Sequence, residues 1–348
     1  MEMGLLYTFR CNARCRHCGF SCGPERREKM EVGEAMGYLR QAADMKEIKR
    51  VTFTGGEPLL FYDEICRLVA FSTKLGLTTR LVTNGFWATS EKIAREKLKR
   101  LVDAGLTSIN FSADQFHREY VNYMNIKYAI KACHASGLVP VLARCVTKDA
   151  SDLTDFLSSY GFSPRDIVDC NDIPAHELFD VGNLGIKARE KYKDKLLLRS
   201  SNVIRRGRAK GIRHGCEEKQ VGEMEEEPCV EVIKRPVIFP KGDLFACCCS
   251  GRPTKMLNIG SLKENPLNRL CFLMEQNPIY RFLSKAGPLR LARLLEGRRM
   301  MKAPRKVASV CEICLKTLEK WDGSNLRILL EDHFKGMISE KQMHSPRG

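Results

Sequence analysis

The chain has 348 residues, of which 43% are hydrophobic and 29% are charged, a balance that excludes a disordered or fibrous protein. The chain has 58 lysine and arginine residues and 42 aspartate and glutamate residues, which gives a net charge of +16. This charge fits the basic surface of an enzyme, or a binding site for nucleic acid, anionic lipid or an acidic peptide. The sequence has sixteen cysteines, with no secretory leader at its start and no apolar run of membrane-spanning length. We therefore expect a cytoplasmic protein in which some cysteines are metal ligands rather than disulfides.

The first half of the chain alternates short apolar runs with longer amphipathic stretches. Strands are predicted at residues 4–9, 50–53, 78–82, 108–111, 139–146 and 202–205, and helices at 31–45, 61–75, 89–104 and 118–136. Alternating strands and helices indicate an α/β fold with a parallel sheet and right-handed crossovers. Six such units predict an open, partial (β/α)6 TIM-like barrel with its chemistry in the loops after the strands.

The character of the sequence changes after residue 211. An acidic run at 217–227 predicts a surface linker, and residues 237–246 predict a β-hairpin that turns at Gly242. A basic helical region at 277–306 follows, either as a solvated helix or as a docking surface for an acidic leader peptide or a membrane surface. The predicted organisation is a barrel at 1–211, an acidic linker at 212–228, a small hairpin and helical domain at 229–325, and a C-terminal helix and tail at 326–348.

Three cysteines directly follow the first predicted strand. Cys11, Cys15 and Cys18 have the spacing C-x3-C-x2-C. Three thiolates so close together can bind three irons of a 4Fe–4S cube and leave the fourth iron open, whereas the alternative, a structural zinc site, usually has four protein ligands. The second strand is followed by Thr-Gly-Gly-Glu-Pro at residues 54–58. Its glycines allow close backbone approach to a ligand, and its carboxylate can accept hydrogen bonds from an ammonium group.

Together these two motifs resemble the radical S-adenosylmethionine (SAM) superfamily. The resemblance implies that the three cysteines hold a 4Fe–4S cluster whose open iron chelates SAM. It also implies reductive cleavage of SAM to a 5′-deoxyadenosyl radical, which abstracts a hydrogen atom from the substrate. The SAM-binding residues assigned in this way are Gly55, Gly56, Glu57, Pro58, Asn84, Ser112, Asp114 and Arg144. Asp114 is in addition a candidate catalytic residue.

A second group of cysteines surrounds the predicted hairpin. Its arrangement resembles the twitch domain, a shortened SPASM domain. This domain follows some radical SAM barrels in the sequence and carries an auxiliary 4Fe–4S cluster. The ligands implied by this resemblance are Cys229, Cys247, Cys311 and Cys314. Successive side chains of an extended segment point to opposite faces, so Cys248 faces away from Cys247 as a free thiol. One alternative is that Cys248 is simply a small buried residue. The other is that Cys249, rather than Cys247 or Cys248, is the ligand or the free thiol.

The resemblance narrows to radical SAM peptide epimerases, which act on ribosomally made peptides. It is carried by Asn-Gly-Phe-Trp at 84–87, by Ser112-x-Asp114-x-x-His117, by the cysteines that adjoin the hairpin and by the late C-x2-C. It implies removal of the Cα hydrogen of an L-residue by the deoxyadenosyl radical and return of a hydrogen atom from the opposite face by Cys248, with Cys249 as the reserve donor.

The cofactors implied by the resemblance are two 4Fe–4S clusters and SAM. The implied partners are a ribosomally made precursor peptide and a one-electron donor such as flavodoxin or ferredoxin, with no nucleic acid and no transmembrane segment. One alternative is a radical SAM maturase that forms thioether or carbon–carbon crosslinks in a peptide. The other is a basic zinc protein that binds nucleic acid.

Overall fold

The computed structural model describes residues 1–146, 161–173, 191–212, 218–247, 255–321 and 325–332. The strands are β1 (Glu2–Thr8), β2 (Arg50–Gly55), β3 (Thr78–Thr83), β4 (Ser108–Ser112), β5 (Pro140–Val146), β6 (Ile167–Asp169), β7 (Leu196–Asn202), β8 (Lys219–Gln220), β9 (Val237–Ile238), β10 (Asp243–Phe245), β11 (Asn258–Ser261) and β12 (Lys306–Val307). The α-helices are α1 (Val32–Asp44), α2 (Tyr62–Lys74), α3 (Glu91–Asp103), α4 (Gln115–Arg118), α5 (Tyr123–Ala135), α6 (Leu267–Gln276), α7 (Pro278–Gly297) and α8 (Val310–Leu318). Residues 325–332 are helical as well.

Ten of the strands form one sheet, in the order β11-β10-β9-β1-β2-β3-β4-β5-β7-β6. Strands β1 to β5 pair in parallel with their neighbours, and β7 continues this parallel pairing beyond β5. The sheet runs from β11 at one edge to β6 at the other, so the described strands form an open arrangement. The predicted α/β class with a partial barrel is confirmed. Parallel pairing brings the loops after β1, β2, β3 and β4 to the same edge of the sheet.

Two predicted elements differ from the structure. The sixth strand was expected at residues 202–205, but β7 ends at Asn202, because the buried apolar run at its start is Leu196–Leu198. The long helix expected at 118–136 is two helices, each with its own N-cap. Asp114 accepts hydrogen bonds from the first backbone N–H groups of α4, and Asn122 accepts one from Met124 N at the start of α5.

The C-terminal hairpin belongs to the same sheet as the barrel. Strand β9 pairs in parallel with β1, with Gly4 opposite Val237 and Leu5 opposite Ile238. Strand β10 then returns antiparallel to β9 through a turn at Gly242, whose φ of 90° requires glycine. The hairpin thus carries Cys247 on an extension of the barrel sheet.

The acidic run packs against the basic helix α7. Both Arg290 and Arg293 form ion pairs with Glu226, at 3.2 and 2.8 Å. Helix α7 itself kinks at Gly287, where φ is 84°, just before Pro288. Part of the positive charge that suggested a docking surface for an acidic peptide is therefore neutralised by an acidic residue of the same chain.

The thirteen cysteines that the structure describes are all free thiols. Within the described residues, no helix combines the length and apolar character needed to cross a membrane.

Candidate active site

The three predicted cluster ligands line one cavity of about 190 Å³ at the edge of the sheet where β1 to β4 end. Their loop leaves β1 and folds back beside it, with Cys11 N donating to Gly23 O at 3.1 Å and Gly23 N donating to Phe9 O at 3.3 Å. The other residues of the cavity wall come from the cysteine loop itself, from the last residues of β2, β3 and β4 and the segments after them, and from one distant part of the chain. They are Ala13, His17, Cys22, Thr54, Gly55, Gly56, Val82, Thr83, Asn84, Ser112, His117 and Arg208.

The thiols of this cavity differ in acidity. Burial raises the pKa of Cys11 to about 12 and also raises that of Cys15. In contrast, a hydrogen bond from Cys22 lowers the pKa of Cys18 to about 6. Thiolates are the form that binds metal, so a metal bound here must displace the protons of Cys11 and Cys15. Three converging thiols beside an open space fit a 4Fe–4S cluster with one free coordination position.

The backbone of Gly55 and Gly56 forms one wall of the cavity. Gly56 N donates to Thr8 O at 2.7 Å, which ties this loop to the end of β1. A Cβ atom on Gly56 would lie 2.2 Å from Arg10 O, and one on Gly55 would lie 2.5 Å from Thr8 O. Only glycine permits this close approach of two backbones.

Glu57 points into the protein. Its side chain is completely buried and accepts hydrogen bonds from Leu59 N at 3.0 Å, Thr83 Oγ1 at 2.8 Å and Asn84 N at 2.7 Å. Burial raises its pKa to about 7, and these three bonds partly offset that shift. In the structure this carboxylate therefore holds Asn84 in place, and the Gly55–Gly56 backbone is the part of the motif that faces the cavity. Pro58 begins a short 3-10 turn.

Asn84 lies directly beside the cysteine loop. Its Nδ2 donates to Asn12 Oδ1 at 2.8 Å and lies 3.9 Å from Cys11 Sγ, while its Oδ1 accepts from Phe86 N. Ser112, at the end of β4, also lines the cavity. Arg144 Nε instead donates to Ser200 Oγ at 2.9 Å, and its side chain is not part of the cavity wall.

The carboxylate of Asp114 contacts two histidines that line the cavity. It lies 2.9 Å from His117 Nδ1, 3.6 Å from His17 Nε2 and 3.0 Å from Cys145 N. Although burial opposes ionisation, His117 holds the pKa of Asp114 well below its usual range. Both histidines line the cavity, whereas Asp114 lies behind them. Asp114 thus contacts two ring side chains of the cavity wall without itself lining the cavity.

Sequence reasoning assigned no role to two polar residues of the cavity wall, His17 and Cys22. His17 is largely buried and stacks on Phe116 with ring centroids 4.6 Å apart, and burial lowers its pKa to about 4. Its position between Cys15 and Cys18 was the available signal. Cys22 carried no spacing signal. The ligand atoms of Cys15, His17 and His117 lie within 4.8 Å of one another, so these side chains could share a metal ion.

The second set of predicted ligands also converges. Cys229, Cys247, Cys311 and Cys314 line one cavity of about 890 Å³. Ser309 caps helix α8 by accepting from Glu312 N, and the helix presents Cys311 and Cys314 on adjacent turns of one face. Burial and the neighbouring Cys247 and Cys229 thiols raise the pKa of Cys314 well above its usual value. Cys248 and Cys249 lie outside the described residues.

Gly56→Ala is expected to destabilise the protein and to disrupt the cavity. The new Cβ collides with backbone rather than with a flexible side chain, so β1 or the glycine loop must shift, at a cost of about 1–3 kcal/mol. Gly37→Ala is the matched control, because nothing lies within 4 Å of a Cβ there. Gly37 is inside α1, where alanine stabilises a helix by about 0.5–1 kcal/mol. Chemical denaturation of both variants measures the two shifts in the free energy of unfolding, which are expected to have opposite signs. Equal unfolding midpoints would contradict the close approach of the Gly56 backbone to Arg10.

Comparisons with known proteins agree with this geometry. The family model "Radical SAM superfamily" matches residues 5–145. A relative named "Putative peptide biosynthesis protein YydG", from Bacillus subtilis (strain 168), is 30% identical over 141 residues, which cover 40% of this chain and 44% of that protein. A GTP 3',8-cyclase from Aliarcobacter butzleri (strain RM4018) is 29% identical over 176 residues, 45% of this chain and 52% of the cyclase. The chain thus matches about half the length of these relatives.

A solved structure has the same fold over almost the whole chain. It is native anSMEcpe with bound AdoMet and a Cp18Cys peptide, and it covers 95% of this chain and 99% of its own, with a TM-score of 0.52 and 11% sequence identity. The similarity extends past the barrel to the C-terminal hairpin and helices.

Proposed function

Because residues 5–145 are a radical SAM domain, we propose that this protein modifies a ribosomally made peptide, as an epimerase that converts L-residues to D-residues. The observation that carries the proposal is the convergence of seven cysteines into two separate cavities, one beside the Gly55–Gly56 backbone and one beside the hairpin. The peptide substrate is supported by the name of the Bacillus relative and by the peptide bound in the structure of similar fold. Clusters and free thiols both favour the reducing cytoplasm.

The first cavity has the residues that a SAM-binding cluster needs. Cys11, Cys15 and Cys18 line this cavity together with the Gly55–Gly56 backbone and Asn84, which supports a cluster held by the three thiols with SAM beside the glycines. When bound, the reduced cluster and SAM supply a 5′-deoxyadenosyl radical that abstracts hydrogen. The protein's part is to bury the thiols, to exclude water and to orient the cavity wall through Glu57 and Asp114.

The second cavity fits an auxiliary 4Fe–4S cluster held by Cys229, Cys247, Cys311 and Cys314. Cys247, the member of the three consecutive cysteines that lies within the described residues, lines this cavity, which supports it as the fourth ligand. Backbone bonds from Ile233 N to Ala246 O and from Ala246 N to Leu257 O extend the sheet pairing to Ala246. Side chains of an extended chain alternate, so Cys248 is expected to face away from the auxiliary cluster.

Cys248 is the proposed hydrogen donor. Its S–H bond breaks as the Cα–H bond of the D-residue forms, which leaves a sulfur-centred radical on the protein. One electron and one proton must then restore the thiol, and a one-electron donor such as flavodoxin or ferredoxin is the proposed source of the electron. Epimerisation in this form leaves the substrate neither oxidised nor reduced.

Isotope incorporation tests the proposed function. The reconstituted protein is incubated without oxygen in D₂O with SAM, dithionite and a candidate precursor peptide. We expect one deuterium at the Cα of each inverted residue, because the thiol proton exchanges with solvent, and chiral analysis should show D-residues. A product that lacks deuterium and is lighter by two hydrogens would instead identify a maturase that forms crosslinks.

A further inference from the structure

The loop that carries the first three cysteines has two different sides. Cys15 and His17 line the first cavity. Arg14 and Arg16, the residues directly before them, are not part of the cavity wall, and their side chains are 59% and 72% exposed. The stretch with the spacing C-x3-C-x2-C contains these two arginines and no acidic residue. The outer side of the ligand loop is therefore positively charged.

The end of helix α4 extends this outer side. Arg16 Nη2 lies 3.2 Å from Glu119 Oε1, and the hydroxyl of Tyr120 donates to Arg14 O at 3.2 Å. Tyr120 is exposed, and so is Arg118, the last residue of α4. These contacts join the two segments into one surface, which we call the arginine face and which consists of Arg14, Arg16, Arg118 and Tyr120.

The carboxylate partners of the loop arginines are themselves exposed. Arg14 lies 3.1 Å from Glu25, and Arg16 lies 3.2 Å from Glu119. Exposed ion pairs of this kind are weak because water screens both charges. Carboxylates of another protein can therefore compete for these arginines or join the existing pairs.

A turn from a distant part of the chain adds a further positive charge. Arg208 N donates to Cys18 O at 3.2 Å, and Arg208 Nε donates to Cys15 O at 3.1 Å. Two residues later, Lys210 is exposed. With the arginine face it places four positive side chains at the ligand loop, beside the two carboxylates already named. Arginine and tyrosine are also residue types enriched at protein–protein interfaces.

We propose that the arginine face is the docking surface for an acidic one-electron carrier protein, which reduces the first cluster across the cysteine loop. The proposal rests on the assignment of that cluster to Cys11, Cys15 and Cys18 under the proposed function. The positive charges attract a carrier of negative charge and speed its approach. In the complex one electron passes from the reduced carrier to the oxidised cluster, and no bond forms or breaks.

The position of the arginine face favours an electron carrier over an acidic peptide substrate. A substrate must place its reacting Cα beside SAM in the cavity, whereas Arg14 and Arg16 stand outside the cavity wall. A carrier needs only to bring its redox centre close to the cluster, because electron transfer slows steeply with distance. Electron-transfer complexes bury little surface, which fits a contact made by a few side chains.

Two substitutions of one ion pair test the proposal. Reduced flavodoxin, an acidic carrier protein, is supplied to the reconstituted full-length protein without oxygen, and 5′-deoxyadenosine formed from SAM is measured. The KM for flavodoxin is expected to rise about two- to fivefold in Arg16→Gln and to fall in Glu119→Gln, which leaves the arginine unopposed. Both variants break the same ion pair, so a purely structural role predicts changes in the same direction.

A small reductant and a second ion pair serve as controls. Dithionite needs no docking surface, so the rate that it supports should be equal in both variants and the wild type. Lys99→Gln is the matched substitution, because Lys99 is 71% exposed and lies 2.7 Å from Asp103. It lies one turn before the end of α3, toward the edge of the sheet where β4 begins. Its KM for flavodoxin should equal that of the wild type.

Electron paramagnetic resonance (EPR) verifies that each variant contains the first cluster, which is identified by the response of its signal to SAM. If Arg16→Gln fails to assemble it, Arg118→Gln takes its place, since Arg118 lies outside the cysteine loop, and a rise in KM is again expected. Unchanged KM values, or changes of one sign in Arg16→Gln and Glu119→Gln, overturn the proposal. A higher KM for a candidate precursor peptide under dithionite would assign the surface to the substrate and overturn it as well.

The result is distinguishable from failure of the proposed function. Formation of 5′-deoxyadenosine precedes both epimerisation and crosslinking, so it reports electron delivery whatever happens to the peptide. Opposite KM changes in a protein that inverts no residue would support the docking surface and refute epimerisation. Inverted residues together with unchanged KM values would refute the docking surface alone.

Discussion

Replacing Cys248 by alanine is expected to abolish stereoinversion while SAM cleavage continues. The deoxyadenosyl radical depends on the first cysteine site, which the substitution does not touch. The substrate radical can still form, but no thiol is present on its opposite face to return a hydrogen atom. The peptide should therefore keep its L-residues or accumulate products of the unquenched radical, and 5′-deoxyadenosine should form at close to the wild-type rate.

Two other cysteine variants act as controls for Cys248→Ala. Cys271→Ala removes a buried thiol of helix α6, outside both cavities, and should leave epimerisation intact. Cys249→Ala tests the reserve donor, and we expect it to retain activity. Chiral amino-acid analysis of the peptide and quantification of 5′-deoxyadenosine give the two readouts. Full inversion by Cys248→Ala, together with its loss in Cys249→Ala, would move the donor role to Cys249.

The local pattern of the sequence was enough to predict the barrel and the edge of the sheet that carries the site. The first five predicted strands correspond to β1 to β5, because buried β-branched and apolar runs alternate with helices of clear periodicity. The topology of parallel sheets then places Cys11, Gly55, Asn84 and Ser112 at one edge. These four residues do line one cavity.

The orientation of Glu57 could not be predicted from the sequence. The motif indicates a carboxylate near a ligand, but three donors from its own turn and from the end of β3 take up both of its oxygens. A buried carboxylate follows its hydrogen-bond donors, and which donors come close depends on how strands pack rather than on the motif. The same is true of Asp114, whose contacts with His17 and Cys145 join the loops after β1 and β4 to strand β5.

Contacts between distant parts of the chain explain the remaining differences. Arg208 reaches Cys15 and Cys18 only because β7 ends beside the first cysteine loop, and no local pattern encodes that approach. Strand β6 has three residues and pairs outside β7, a position that chain order does not suggest. Glu226 of the acidic run pairs with two arginines of α7, which lie more than 60 residues further along the chain. In each case the local sequence is compatible with several partners, and the tertiary fold selects one.

Cys18→Ala is expected to remove the first cluster, and Cys22→Ala is expected to keep it. Both thiols line the same cavity, and a hydrogen bond joins them, so they form a matched pair at almost the same place. The spacing C-x3-C-x2-C assigns Cys18 as the third ligand and leaves one iron open for SAM. After reconstitution without oxygen, Cys18→Ala should hold about four irons from the auxiliary site and form no 5′-deoxyadenosine.

The Cys22→Ala protein should instead hold about eight irons, cleave SAM and show a change of its EPR signal when SAM binds. Loss of Cys22 leaves the three thiolates of the C-x3-C-x2-C spacing in place, whereas loss of Cys18 does not. The role expected for Cys22 is therefore to donate a hydrogen bond to Cys18 rather than to bind iron. Loss of about four irons in Cys22→Ala with retention in Cys18→Ala would exchange the two roles. Loss in both variants would mean that four thiolates bind the cluster, and the open iron on which SAM chelation depends would then be absent.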